Sequence, residues 1–309
     1  MAKSKFSVVI PTFKPGNEFR EILQKISVQT FLPNRVIIIN TEKKYLQESL
    51  YAGICNVEVY HIKTDEFDHG ATRDKGLSMV EDEFVIFMTQ DAIPNNEFLF
   101  EELLKPFSDS LVGVVYARQI GDKGCNIIEN YTREFNYPNC DIVKSKNSLE
   151  ELGIKTYFSS DVCAAYRKEF YINNGGFEKN TIFNEDSIYA AKIINDGKKV
   201  VYASKAIVVH YHNYKLMQYL RRNFDLGVSH SQYEKVFSGL KSENEGVILV
   251  KKTIKFLIKE GKIYLIPSLI FKSGFKYVGY KLGKNYVKLP YFIIKKLSMN
   301  KGYWAKKGV

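Results

Sequence analysis

Apolar positions in the first ninety residues fall into short continuous runs: Phe6-Ser-Val-Val-Ile10, Arg35-Val-Ile-Ile-Ile39, Val57-Glu-Val-Tyr-His-Ile62 and Phe84-Val-Ile-Phe-Met88. Their length and β-branched content predict buried strands. Pro11-Thr12 ends the first run, and Phe19, Ile22, Leu23 and Ile26 then recur at helical spacing. A second helix is predicted over Ala71–Val80 and a third around Asn96–Phe107. Continuous apolar strands separated by helices imply a parallel sheet covered on both faces. Further on, Asn184-Glu-Asp186 opens a helix with Ile188, Ala191 and Ile194 on one stripe, and Gly197 stops it. Val200–Ala203 and Ala206–Val209 read as two strands. Residues 119–157 show little pattern and are expected to form a flexible loop.

The chain of 309 residues has room for one large domain with an appendage, or for two domains. With 45% apolar and 26% charged residues it falls outside the disordered, collagen-like and disulfide-scaffold classes. The opening Met-Ala-Lys-Ser-Lys-Phe-Ser lacks a signal-peptide layout. Cys55, Cys125, Cys140 and Cys163 are too scattered for a zinc cage and are expected to be reduced. The longest uncharged apolar run of the C-terminal part, Ile263–Phe271, falls short of the roughly 20 residues of a spanning helix.

Charge is unevenly placed. The net charge is +11, yet residues 250–309 hold fifteen Lys and one Glu, or +14, leaving about −3 for the rest. The lysines alternate with Phe256, Tyr264, Phe271, Phe275, Tyr277, Tyr280, Tyr303 and the single Trp304. Basic and aromatic residues together suit an anionic membrane surface with an apolar layer beneath. A solvated helical face is the second reading, and nucleic acid ranks last. The same helices could instead pair two copies of the chain.

In open α/β sheets the ligand lies beyond the carboxyl ends of the strands. The candidates there are Pro11, Thr12 and Phe13, then Asn40, then Asp65 to Arg73, then Gln90-Asp91-Ala92. Asp91 follows a buried strand and could meet a metal-phosphate complex, or simply start a turn. Gly70 permits a close backbone approach, and Arg73 near a helix start could clamp phosphate or be an ordinary surface residue. Glu185 and Asp186 either complement a helix dipole or provide a general base at a helix start. His210 and His212 follow the last strand, and imidazole with the Asp91 carboxylate suits Mn²⁺ or a similar ion.

The order of Ser7-Val-Val-Ile-Pro-Thr12, Gln90-Asp91-Ala92, Gly175-Gly-Phe177, Glu185-Asp186 and Ala206-x-Val208-x-His210 resembles the family 2 inverting glycosyltransferases over roughly residues 5–235. Phe67-Asp-His-Gly-Ala-Thr-Arg73, Thr89-Gln-Asp-Ala-Ile-Pro94, His210-Tyr-His-Asn-Tyr214 and Leu282-Gly-Lys-x-Tyr286-x-x-Leu289-Pro290 are similar to bacterial rhamnosyltransferases of cell-surface rhamnan synthesis. The resemblance implies a GT-A fold: a Rossmann-like, nucleotide-sugar-binding mixed sheet flanked by helices. Residues 1–235 would form it, with a donor half to about 118, an acceptor half from 119, and a basic helical extension over 236–309.

It further implies dTDP-β-L-rhamnose as donor and a growing glycan on a polyprenyl diphosphate as acceptor, at the cytoplasmic face of the cell membrane. Pro11, Thr12, Phe13, Asn40 and Gln90 would line the nucleotide pocket, with Arg73 and Arg221 near the diphosphate. Asp91, with His210 or His212, would hold a divalent cation, Mn²⁺ or Mg²⁺. Asp186 would be the catalytic base and Glu185 would support the acceptor. Asn40 stands where many members carry an acid, and Gln90-Asp91-Ala92 supplies one carboxylate where members often have two or three, so the ion would be held weakly or arrive with the nucleotide. The alternatives are a UDP-sugar transferase of the same fold, a non-catalytic membrane-binding module, and a hydrolase built on His210-x-His212.

Overall fold

A buried strand must pair its backbone amides and carbonyls, and the apolar runs do so with one another. The structure, a computed structural model, describes residues 5–237 and 242–307, so the opening residues 1–4 lie outside it. The chain divides into two compact units, the first comprising residues up to 122, 137–179 and 185–211 and the second 123–136, 180–184 and the residues from 212.

The elements to the end of the sheet run β1 (Phe6–Phe13), α1 (Glu18–Ser27), β2 (Val36–Thr41), β3 (Val57–Ile62), α2 (His69–Ser78), β4 (Phe84–Met88), β5 (Ile93–Pro94), α3 (Leu99–Leu104) and β6 (Val112–Ile120). There follow α4 (Ile127–Asn136), β7 (Ile142–Lys144), α5 (Leu149–Leu152), β8 (Cys163–Arg167), α6 (Lys168–Asn173), α7 (Glu185–Asn195) and β9 (Lys199–Val209). All but α4 belong to the first unit. Among the described residues the strands form one sheet in the order β3-β2-β1-β4-β8-β6-β9-β5, with β7 added to β9. The first four are parallel, and β8 then runs antiparallel to both β4 and β6. The sheet is therefore mixed.

The four predicted runs are β1 to β4, and α1 buries Phe19, Ile22, Leu23 and Ile26 as their spacing requires. Against expectation, β1 continues through Pro11 to Phe13. The Val8 amide donates to the Arg35 carbonyl on the β2 side, so by alternation residue 11 faces β4, and β4 pairs only as far as Val9. A missing N–H there costs no ladder bond. The expected loop over 119–157 is corrected: it contains the end of β6, α4, β7 and α5. β7 is too short to stand out, whereas α4 carries Ile127, Ile128, Tyr131 and Phe135 at helical spacing, a pattern as amphipathic as that of α1. The two strands expected at 200–209 are one strand, β9, interrupted where Ala117 pairs with Ala203 but Arg118 with Ile207. The extra residues are satisfied by Asp141, whose Oδ1 accepts from the Ser204 amide (2.8 Å) and hydroxyl (2.6 Å).

In the second unit, α4 is joined by α8 (Leu216–Gln232), α9 (Glu234–Phe237), α10 (Ser242–Lys259), α11 (Ile266–Lys284), α12 (Tyr291–Leu297) and α13 (Lys301–Lys306). One core gathers Ile182, Phe224, Val228, Ile294, Tyr303 and Trp304; a smaller one gathers Ile128, Leu257 and Leu269. No helix among the described residues is long and apolar enough to cross a membrane. Helices α8 and α11 touch through backbone. A Cβ on Gly279 would stand 2.2 Å from the Leu220 carbonyl oxygen, one on Gly283 2.1 Å from that of Phe224, and one on Gly227 2.3 Å from that of Tyr280. The Gly279-x-x-x-Gly283 spacing puts both glycines on one face, which lets two helix backbones meet.

Gly279→Ala is expected to destabilise the protein by about 1–3 kcal/mol, the usual cost of overpacking. Gly274→Ala, on the same helix with nothing within 4 Å of the added carbon, is expected to stabilise it by about 0.5–1 kcal/mol. Denaturant unfolding of the two variants beside the unaltered protein checks both signs.

Candidate active site

The carboxyl ends of β1, β2 and β4 and the start of β8 share one edge of the sheet, since Met88 pairs with Cys163 and the Thr89 amide donates to the Val162 carbonyl. At the end of β1, Gln90 closes a two-bond clamp: the Phe13 amide donates to its Oε1 (2.7 Å) and its Nε2 donates to the Phe13 carbonyl (3.0 Å). Thr12 is buried and donates to Asn40 Oδ1 (3.1 Å). Asn40, 0% exposed, also bonds the Glu42 carbonyl and His61 Nδ1, each at 3.1 Å. Its amide is thus used up in joining β1, β2 and β3. The Phe13 ring is exposed, with Tyr45 edge-on at 5.6 Å, an aromatic pair that sequence reasoning missed on the Tyr45 side.

A second group forms around Arg73, which the sequence suggests as a ligand-facing cation. The structure turns it inward. At 6% exposure its guanidinium donates to the His69 carbonyl and to Glu185 Oε1, both at 2.9 Å, and lies 3.3 Å from Asp161. Gly70 makes this possible, since a Cβ there would meet the Glu178 carbonyl oxygen at 2.4 Å. The expected close backbone approach therefore exists, to the Gly-Gly-Phe turn of the protein itself. Phe177 in that turn stacks edge-on against Tyr166 and Tyr171.

Asp161, which the sequence gave no reason to single out, is buried and accepts from the Tyr166 hydroxyl (2.5 Å). Its own amide donates to Asp186 Oδ2 (3.2 Å), and the Ser187 amide donates to Asp186 Oδ1 (2.6 Å). The adjoining segment is pinned by buried Lys144, which donates to the Tyr116 hydroxyl and the Phe158 carbonyl, both at 2.6 Å. Two carboxyls, of Asp161 and Glu185, thus pair with one guanidinium, and the charge of Asp186 also acts on it. Burial, then Asp161, Glu185 and Asp186 act on Arg73 in opposite senses, and the net effect holds it charged. Burial pushes Asp161 up to about 6 despite Arg73. Burial, with Glu185 and Asp161 adding repulsion, pushes Asp186 up to about 8. Glu185 is buried, whereas Asp186 keeps some exposure at the first turn of α7. Such a carboxyl can receive a proton from a group that reaches it from solvent.

A third group also lies past the carboxyl end of β4. The short β5 pairs antiparallel with β9, Ile93 opposite Val209, which brings Asp91 beside His210 with 3.5 Å between Oδ2 and Nε2. His210 is buried, and its Nδ1 is 2.9 Å from Gln119 Oε1, whose amide in turn donates to Ser160 (2.8 Å). A carboxamide oxygen accepts only, so His210 donates from Nδ1 and turns its Nε2 toward the Asp91 carboxylate. Imidazole and carboxylate with an outer partner setting the tautomer suit a divalent cation of the Mn²⁺ type. His212 follows two residues on, at the start of the second unit, as does Arg221, half-buried on α8.

Residues 7–175 match the profile of glycosyl transferase family 2. The chain belongs to that family. It is 37% identical over 304 residues to the O-antigen chain rhamnosyltransferase RfbN of Salmonella typhimurium, covering 97% of this chain and 96% of the relative. It is 38% identical over 307 residues to the O-antigen chain rhamnosyltransferase WbaN of Salmonella anatum, covering 97% and 95%. The expected resemblance to rhamnosyltransferases is borne out, and the glycosyltransferase is an enzyme. Among solved structures it is similar to the mannosyltransferase PcManGT from Pyrobaculum calidifontis in complex with GDP-Man and Mn²⁺, at TM-score 0.58 and 14% identity over 100% of this chain and 87% of that one. It is also similar to TarS 1–349 of S. aureus in complex with UDP-GlcNAc, at TM-score 0.52 and 15% identity over 92% and 91%. These likenesses bear out the GT-A fold of this family 2 glycosyltransferase. The family match ends before Glu185, so the geometry around Arg73 is what draws attention to Glu185 and Asp186.

Because burial raises Asp186 and Asp161 above their unfolded values, their contribution to stability is present at acid pH and lost as pH rises through the folded values. Asp186→Asn removes its share of that loss. The variant is expected to gain in unfolding temperature over the unaltered protein from pH 5 to pH 8, at a rate bounded by about 1.4 kcal/mol per pH unit. A difference that shrinks with pH in a thermal series would reverse the assignment.

Proposed function

We propose that the enzyme is an inverting rhamnosyltransferase that moves L-rhamnose from dTDP-β-L-rhamnose to a glycan carried on a polyprenyl diphosphate. The choice of sugar is supported by 37% and 38% identity, over nearly the whole chain, to two O-antigen chain rhamnosyltransferases. The chemistry rests on one observation: a partly exposed Asp186 accepts from the amide of Asp161, whose carboxyl, with that of Glu185, engages the buried Arg73.

In this reading Asp186 accepts the proton of the acceptor hydroxyl as that oxygen attacks the anomeric carbon. The bond from that carbon to the diphosphate oxygen breaks, its electron pair leaves with dTDP, and a β-linked donor yields an α-rhamnoside. Arg73 fixes Glu185 through their ion pair, so that Glu185 orients the acceptor while Asp186 takes the proton. Phe13 and Tyr45 offer ring faces to the nucleobase, and Pro11, Thr12, Asn40 and Gln90 shape that end of the pocket through the β1 clamp. Asp91, His210 and His212 would hold a divalent cation, which when bound neutralises charge on the leaving diphosphate. Arg221 would add a second positive charge there.

The C-terminal unit would attach the enzyme to the inner face of the cell membrane without crossing it. Tyr264, Phe271 and Phe292, at 70, 65 and 71% exposure, stand among the lysines that an anionic leaflet attracts.

Purified enzyme given dTDP-β-L-rhamnose, UDP-glucose, UDP-galactose or UDP-N-acetylglucosamine with Mn²⁺ is expected to release nucleotide from the rhamnose donor and to lose that activity with chelator. Release of UDP instead would overturn the sugar and keep the reaction class. Asp186→Asn is expected to slow transfer by about 10²–10⁴, the scale of a positioned base, and a loss under tenfold would reduce Asp186 to a helix-start acid.

A further inference from the structure

Asp91, His210 and Asp186 all belong to the first unit, and a buried chain of polar side chains joins the first two to the third. Gln119, near the end of β6, stands opposite Val208 on β9. Two residues further on, His210 lies on the same face, so the Gln119 side chain reaches its ring. The carboxamide works at both ends: Oε1 accepts from His210 Nδ1 (2.9 Å) and Nε2 donates to the Ser160 hydroxyl (2.8 Å). Gln119, Ser160 and His210 are buried, which shields both bonds from competing water. A carboxamide suits this place because it accepts on one side and donates on the other.

Ser160 precedes Asp161, whose amide donates to Asp186 Oδ2 (3.2 Å) and whose carboxyl lies 3.3 Å from Arg73. The neighbouring Ser159 takes no part in holding this segment: its buried hydroxyl has no hydrogen-bond partner among the described residues. Lys144 holds the segment at the Phe158 carbonyl, and Tyr166 holds the Asp161 carboxyl. The charged and titratable groups around Asp186 are Glu185 beside it on α7, Asp161 before β8, Arg73 on α2 and Tyr166 on β8. Burial and the two acids raise Asp186, while the amides of Ser187 and Asp161 draw it down. The placement of the Asp161 amide therefore bears on how Asp186 handles a proton.

We propose that Gln119 is a positioning residue that couples cation binding at Asp91 and His210 to the placement of Asp186, through Ser160 and the Asp161 amide. An imidazole whose Nε2 ligates a cation donates more strongly from Nδ1, and hydrogen bonds in a chain polarise one another. The Gln119 carboxamide then holds Ser160 more firmly, and the Asp161 amide with it. Proton removal is thereby tied to a loaded site. The inference rests on reading Asp91 and His210 as cation ligands and Asp186 as the base.

Two measurements on the whole enzyme test it without donor or acceptor: Mn²⁺ binding, followed by loss of the free-ion electron paramagnetic resonance signal, and hydrogen exchange at the Asp161 amide, followed by mass spectrometry. Mn²⁺ is expected to slow that exchange in the unaltered enzyme, and Asp91→Asn should abolish the binding and the slowing together. Gln119→Met should weaken Mn²⁺ binding by about 10–100-fold, the usual cost of losing a ligand's outer partner, and speed exchange at Asp161 by up to about tenfold, the net worth of one hydrogen bond. Gln119→Glu, which keeps an oxygen toward Nδ1 and can accept from the Ser160 hydroxyl, should recover the binding lost in Gln119→Met. Ser160→Ala should leave Mn²⁺ affinity near its unaltered value yet remove the slowing by Mn²⁺. Circular dichroism melts report whether each variant folds, and Ser160→Ala, which deletes a single oxygen, keeps the test open should Gln119→Met unfold. Absence of Mn²⁺ binding by the unaltered enzyme, or binding that survives Asp91→Asn, would overturn the cation site and the coupling with it. Binding that leaves the Asp161 amide unmoved, or slowing that survives Ser160→Ala, would overturn the coupling alone.

Discussion

A guanidinium out of reach of water must be met by negative charge, and Arg73 is met by the carboxyls of Asp161 and Glu185, with the charge of Asp186 added to theirs. Much of the first unit serves that requirement. Gly70 lets the turn before α7 close on α2, the aromatic rings around Phe177 wall the site, and Tyr166 and Lys144 fix the segment that carries Asp161. Three acids on one base cannot all be ionised cheaply. The excess falls on Asp186, the member with the most exposure, and a carboxyl that resists losing its proton also takes one up readily. Structural neutralisation of Arg73 and the basicity of Asp186 are thus two sides of one arrangement.

The Asp91 and His210 pair follows from strand register rather than from proximity in sequence. Two residues of β5 are enough to set Ile93 opposite Val209, and that register alone carries Asp91 to the imidazole. The interruption in β9 matters here, because the residues accommodated by Asp141 decide which residue stands at the strand end. Gln119 on β6 then fixes the ring. Neighbouring strands thus contribute ligand, ring and orienting amide to one point on the sheet edge.

What was legible in the chain is what its own periodicity encodes. β1 to β4 and α1 carry continuous or 3.6-residue patterns because each buries one face against a single layer. Asp91 and His210 could be singled out because each stands just past a strand, and Asp186 because it opens a helix. Asp161 was not, since its importance comes from Arg73, 88 positions away in sequence, and no local pattern marks it. The inward turn of Arg73 was hidden for the same reason: a glycine that admits backbone reads alike whether the backbone belongs to a ligand or to the protein. β7, three residues long, is too short to carry a pattern, whereas α4 did carry one, with Ile127, Ile128, Tyr131 and Phe135 at helical spacing, and was passed over.

The contact between α8 and α11 has a mechanical meaning. Gly279 faces Leu220 and Gly283 faces Phe224, so the two helices run in the same direction with one residue-to-residue alignment. Shifting α11 forward by one turn, about 5.4 Å, would put Phe275 where Gly279 sits and Gly279 against Phe224, and there is no space for a ring between touching backbones. The pair therefore cannot ratchet. It transmits force along its axis as a single rod, and whatever motion the second unit makes during a catalytic cycle must be taken up at other joints.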